Sequence, residues 1–135
     1  MDCIFCKIVS GEIPAKILQE TRYSLSFLDA FPLAKGHVLV IPKNHRQKIQ
    51  DMNEKENSDL FSLVHVMISK VDSITGSTLL AVHNGEDAGQ EIPHVHVHLV
   101  PRSNADSAGA IHSMFDDSLK LSDSEINELY NKLKI

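Results

Sequence analysis

Along the first third of the chain, apolar residues come in short runs cut by turn-forming residues, and each run has the length of a β-strand. Ile13-Pro14, Lys16 to Glu20, Ser24 to Leu28 and His37 to Ile41 read as strands, divided by Thr21-Arg22 and by the turn-rich Phe31-Pro32-Leu33-Ala34-Lys35-Gly36. Val38, Leu39, Val40 and Ile41 run without interruption up to Pro42, which predicts a central strand covered on both faces. The period then changes. From Asn53 to Ser73 the residues Leu60, Val64, Met67 or Ile68, Val71 and Ile74 recur at helical steps, predicting one amphipathic helix that stops at Gly76. Thr78 to His83 predicts another strand, Asn84 to Glu91 a loop, and His94 to Val100 a last strand. Ser122 with Glu125 fits a capping box, and Ile126, Leu129, Tyr130 and Leu133 would form the buried stripe of a terminal helix. Strands joined mostly by short turns, with one long helix inserted, predict an antiparallel sheet in an α+β fold. Nothing in the pattern divides residues 1–135 into more than one domain.

The last strand carries the chemistry. In Pro93-His94-Val95-His96-Val97-His98-Leu99-Val100-Pro101 three histidines alternate with apolar residues, so the three imidazoles share one face and Val95, Val97 and Leu99 take the other. A solvated strand face would vary its polar residues among Thr, Lys, Glu and Arg, and three ligands in a line converge poorly on a catalytic metal. Histidine chemistry on an anion fits better. A neutral imidazole is a nucleophile, and protonated neighbours can hold a phosphate and protonate a leaving group. His96, with a histidine on each side, is the best placed nucleophile; His98 would contact phosphate oxygens, His94 would stand behind His96, and His37 could orient one ring. The loop before the row offers Gly85 and Gly89 for close backbone approach and the amides of Asn84 and Gln90, while Glu86 and Asp87 should face solvent.

A chain of 135 residues, 42% hydrophobic and 23% charged, holds an ordinary core and has no apolar run of membrane-spanning length. Its net charge of −5 argues against a nucleic-acid backbone as partner. Met1-Asp2-Cys3 opens without a basic segment followed by an apolar one, and two cysteines close together do not make a disulfide framework, so a reducing compartment is expected, the cytoplasm and also the nucleus. The Cys3-x2-Cys6 pair leaves three readings open: free thiols, a redox pair, or part of a structural zinc site.

His94-Val95-His96-Val97-His98-Leu99-Val100 resembles the signature of the histidine-triad, or HIT, family. Cys3-Ile4-Phe5-Cys6-Lys7-Ile8, Gly11 to Lys16, Gly36 to His45 and Ala88-Gly89-Gln90-Glu91 support the resemblance, which runs from Cys3 to about Arg102. It is nearest to the Hint branch, the purine-nucleoside phosphoramidases. The resemblance implies a HIT-like fold, with a five-stranded antiparallel sheet, one long helix and a C-terminal helix, two copies forming a ten-stranded homodimer. It implies cleavage of the phosphorus–nitrogen bond of purine nucleoside 5′-phosphoramidates, derivatives of AMP or GMP, through a nucleotidyl intermediate on His96, with His37, His94 and His98 completing the cluster and no magnesium requirement. Asp29 would bind the ribose, Ile4, Phe5 and Phe27 would line the base pocket, and Asn84, Gly89, Gln90 and Glu91 would surround the phosphate. Similar microbial proteins bind zinc through residues that map to Cys3, Cys6, His45 and His94. Read from the residues alone, Phe5 and Phe27 are plain core residues. Dinucleoside polyphosphate hydrolysis on the same row, and nucleotide binding with vestigial catalysis, are the alternatives. Glu91 stands where animal Hint proteins have a serine, and the tail after Arg102 lacks their tryptophan.

Overall fold

The computed structural model describes residues 2–115 and 118–135; Met1, Asp116 and Asp117 lie outside it. The chain forms two compact units, one through Ala105 and one spanning Asp106–Ile135. In the first, five antiparallel strands lie in the order β1-β2-β3-β5-β4, where β1 is Ile17–Glu20, β2 Ser24–Leu28, β3 Val38–Pro42, β4 Thr78–Ala81 and β5 Val97–Pro101. A short helix α1, Ile4–Val9, and a long helix α2, Glu54–Thr75, complete it.

The apolar run of β3 is covered on both faces, as its composition predicts. Val38 and Val40 join Leu60, Leu63, Val64, Met67 and Val71 of α2 in one cluster, whereas Leu39 and Ile41 join Phe5, Leu25 and Phe27 on the opposite face. Asn53 caps α2 by accepting from the Glu56 amide, and Gly76 ends it at φ +88°, a left-handed conformation that glycine takes without strain. Ile74, predicted in the buried stripe, is half exposed instead, because it lies in the last turn beyond the sheet-facing residues.

Three further predictions need correction. Ile13-Pro14 forms no strand, since Pro14 has no N–H to give a ladder. The predicted Thr78–His83 strand ends at Ala81. The histidine strand begins only at Val97, leaving His94 and His96 outside the ladder: their neighbour β3 ends at Pro42, which has no N–H, and Val95 donates instead to the Arg46 carbonyl at 2.7 Å. The facing of side chains survives this loss of pairing, since Val95, Val97 and Leu99 all pack in the α2 cluster.

In the second unit the capping box forms, with Ser122 accepting from the Glu125 amide, and helix α3 spans Asp123–Leu133. Its stripe is not buried: Ile126, Leu129, Tyr130 and Leu133 are all exposed. Among the described residues no helix is long and apolar enough to cross a membrane.

Candidate active site

The histidine segment meets two different environments. On one side α1 places Cys3, its N-cap, and Cys6 one turn apart, so both thiols face the same way. The His94 Nδ1 lies 3.5 Å from Cys3 Sγ and 3.6 Å from Cys6 Sγ, and His45 Nδ1 is 3.4 Å from Cys6 Sγ. The four potential ligand atoms lie within 4.8 Å of one another. His94 Nε2 is 2.8 Å from the Pro42 carbonyl, an acceptor only, which assigns the proton to Nε2 and leaves the Nδ1 lone pair toward the thiols. Burial, then the Cys3 thiol, pushes the Cys6 thiol above its ordinary range, the reverse of an activated redox cysteine. This donor set fits zinc. His45 is held by its neighbour: Arg46 donates from Nε and Nη2 to the buried Glu56 carboxylate at 2.9 and 2.8 Å, tying the segment to the first turn of α2.

On the other side a cavity of about 430 Å³ is lined by Ile4, Phe5, Phe27, Asp29, His37, His83, Gly89, Glu91, His96 and His98, among others. Phe5 and Phe27 are both core and wall, meeting edge to face at 5.9 Å, with the Phe5 ring also 5.1 Å from His96. His96 Nδ1 lies 2.7 Å from the His94 carbonyl. A carbonyl only accepts, so Nδ1 carries the proton and Nε2 keeps its lone pair. His94 therefore serves His96 through its backbone, while its ring is turned to the thiols.

His98 is oriented by a second chain of contacts. The Leu33 amide donates to His37 Nδ1 at 3.0 Å, so the His37 proton sits on Nε2, 3.0 Å from His98 Nδ1 and 3.5 Å from Asp29 Oδ2. His98 Nδ1 accepts, and its own proton is on Nε2. Asp29 Oδ1 also accepts from the Phe31 amide at 2.9 Å, which fixes the carboxylate at the cavity wall.

Burial favours the neutral form of the His37, His94, His96 and His98 rings. Burial first, then the charges of His96, His37 and His83, hold His98 down to about 4; burial lowers His94 to about 4 and also depresses His96 and His37, with Asp29 opposing at His37, His96 and His98. In that environment the His96 Nε2 lone pair meets no hydrogen-bond partner among the described residues and faces the cavity.

The loop residues divide. Gly89 and Glu91 reach the cavity, but Asn84 accepts from the Ile49 amide and donates to Gln50, and Gln90 accepts from the Gly85 amide and donates to the Gln47 and Ile92 carbonyls. These two amides shape the loop; they do not line the cavity. Glu86 and Asp87 are exposed, as expected. His83, absent from the sequence-based selection, does line it. The signal was available in the strand pattern, since β4 pairs antiparallel with β5, Ala81 opposite His98, and the same register continued puts His83 opposite His96.

A model of the HIT domain matches residues 10–105. The adenosine 5′-monophosphoramidase hnt1 of Schizosaccharomyces pombe is 42% identical over 104 residues, covering 77% of this chain and 77% of that protein. A crystal structure of a histidine triad nucleotide-binding protein from Candida albicans superposes with a TM-score of 0.84 at 32% identity, covering 98% of this chain and 95% of the other. A zinc-bound histidine triad family protein from Mycobacterium smegmatis superposes with a TM-score of 0.68 at 36% identity, covering 79% of each. With three histidines on one face, an antiparallel five-stranded sheet and these matches, the chain belongs to the HIT domain family.

Proposed function

We propose that this protein hydrolyses purine nucleoside 5′-phosphoramidates through a nucleotidyl intermediate on His96. The observation that carries this reading is the orientation of His96, whose Nδ1–H is held by the His94 carbonyl so that Nε2 offers its lone pair to the cavity. In the first step the Nε2–P bond forms, the P–N bond breaks, and a proton passes to the leaving amine. A phosphoryl anion entering the cavity raises the proton affinity of the surrounding rings, so the proton can be taken up with the substrate. His98, whose ring lies 5.0 Å from that of His96 and whose Nε2 carries the proton, would supply it. In the second step water attacks phosphorus, the P–Nε2 bond breaks and the nucleoside monophosphate leaves. Asp29 faces the ribose and Phe5 and Phe27 the base. The amidase named in Schizosaccharomyces pombe supports the choice of bond.

A neutral amine needs its proton as it departs, whereas a nucleoside diphosphate is already stable as an anion. Steady-state rates on an adenosine 5′-phosphoramidate and on diadenosine triphosphate test the reading: kcat/KM should favour the former by at least about tenfold, about 1.4 kcal/mol. The reverse order would assign the site to dinucleoside polyphosphates.

Cys3, Cys6, His45 and His94 would hold one structural zinc, a proposal supported by their mutual distances and by the zinc-bound relative. Elemental analysis of protein purified without chelator should give about one zinc per chain, and a content near zero contradicts it. A second copy would cover the edge strand β4, where Leu79 and Leu80 are exposed, together with the apolar flank of α2 at Phe61 and Val66. Free thiols in such a site fit a reducing compartment, the cytoplasm.

A further inference from the structure

Glu56 is a buried charge that no step above uses. It stands in the first turn of α2, only 1% exposed, and three side chains converge on its carboxylate. Arg46 donates from Nε to Oε2 at 2.9 Å and from Nη2 to Oε1 at 2.8 Å, while Asn44 Nδ2 and Asn53 Nδ2 donate to Oε1 at 3.4 and 2.8 Å. Asn44 and Arg46 are the two neighbours of His45, so one carboxylate holds the chain on both sides of that residue. A planar guanidinium that meets a carboxylate through two parallel bonds fixes direction as well as distance, which a lysine would not. Desolvating such a pair is costly, and an apolar pair of similar volume would join helix to loop at least as stably. What the pair adds over an apolar contact is orientation.

The oriented backbone leads to His96. The Arg46 carbonyl accepts from the Val95 amide at 2.7 Å, and the His94 carbonyl accepts the His96 Nδ1–H at 2.7 Å. The Val95 N–H and the His94 C=O belong to one planar peptide group, so turning the first turns the second. We infer that Glu56 and Arg46 are positioning residues for the nucleophile: they set the Arg46 carbonyl, which sets the plane of the His94–Val95 peptide, which aims His96 Nε2 into the cavity. The sheet cannot do this, because β3 pairs with β5 only from Val38 to Val40, opposite Leu99 to Val97. The two hydrogen bonds on that peptide also polarise one another. The same segment bears the glycine loop, since the Gln47 carbonyl accepts from Gln90 Nε2 at 2.7 Å. This role rests on His96 being the nucleophile proposed above, and adds the group on α2 that keeps it aimed.

The test uses Glu56→Gln and Arg46→Lys, which keep polar groups in place but break the bidentate pair, and the double variant Arg46→Met with Glu56→Leu, which removes both charges together. Each is compared with wild type by steady-state kinetics on an adenosine 5′-phosphoramidate, by AMP titration, by thermal melting, and by NMR of isotope-labelled histidine, which reads the His96 tautomer. Glu56→Gln should lower kcat about ten- to a hundred-fold and leave AMP affinity within about twofold, the pattern of a reacting group held slightly out of line. Its His96 should lose the single Nδ1–H signature and exchange between the two tautomers. Arg46→Lys, the milder change, should show the same pattern to a smaller degree, and it supplies the comparison should Glu56→Gln not fold. The double variant should regain the melting temperature that Glu56→Gln loses, yet keep the low kcat and the mixed tautomer. Recovery of kcat in step with melting temperature would make the pair a structural tie and overturn the inference, and so would wild-type kcat with a wild-type tautomer in the single variants. A mixed tautomer with unchanged kcat would instead overturn the reading of His96 as nucleophile, a different result from either.

Discussion

His94 and His96 are two residues apart on one face, yet they belong to different sites. The His94 ring is fully buried among thiols and turned away from the cavity, while the His96 ring opens into it with one lone pair uncommitted. Their difference comes from partners, not from the strand: the Pro42 carbonyl takes one ring proton and the His94 carbonyl takes the other. A row of identical side chains thus becomes a metal-ligand candidate and a nucleophile, joined by a single backbone carbonyl. Because the joint is that carbonyl, loss of the His94 ring should disturb stability, and loss of the His96 ring should disturb chemistry.

The largest effect expected is at His96. His96→Ala should lower kcat by several powers of ten while nucleotide binding persists, because the ring supplies the bond-forming nitrogen and only part of the surface. Retention of more than about a tenth of the wild-type rate would place the nucleophile elsewhere. On the thiol side the order of effects should invert. Cys6→Ser should lower the melting temperature with a smaller proportional change in kcat, since a closed metal site contributes folding energy. Equal losses in both would mean that the two sides are not separable.

The relay behind His98 predicts a smaller change. His37→Phe removes the Nε2–H that fixes the His98 tautomer, and kcat should fall about ten- to a hundred-fold with little change in AMP affinity, the range of a misoriented proton donor. A matching rise in KM with kcat intact would instead make His37 a binding residue.

The smallest effect concerns pH and stability. His98 is held at about 4 in the folded protein, below its ordinary value near 6.5, so the unfolded chain binds its proton first. Stability should be fully present above about pH 6.5 and decline as pH falls from there toward 4. Chemical denaturation at a series of pH values should show that limb, and His98→Asn should make it shallower without abolishing it, since His94, His96 and His37 are depressed in the same direction.

Much of the core was legible in the residues. The unbroken run of Val38 to Ile41, the helical steps from Leu60 to Val71 and the alternation around His96 each follow from a period that burial enforces. What escaped were features decided by single partners. Helix α1 is only six residues long, too short for a period, although it is what brings Cys3 and Cys6 together. The truncation of the histidine strand depends on the missing N–H of Pro42, a neighbour in space. Asn84 and Gln90 have the right chemistry for phosphate, but their amides are committed to nearby backbone and to Gln50. His83 was hidden because a lone histidine at a strand end has no meaning until its register against β5 is known. The stripe of α3 shows the converse: a sound capping box and helical spacing establish a helix without telling whether anything covers it.

The division of roles along the histidine row can be tested at the covalent step. Wild-type protein mixed with excess adenosine 5′-phosphoramidate, quenched within a turnover and mapped by mass spectrometry under conditions that preserve phosphorus–nitrogen bonds, should carry one adenylyl group on the peptide containing the row, localised to His96. The same treatment of His96→Ala should leave that peptide unmodified. Adenylyl found on His94 or His98, or turnover with no adduct at any quench time, would contradict the assignment of His96 as the nucleophile.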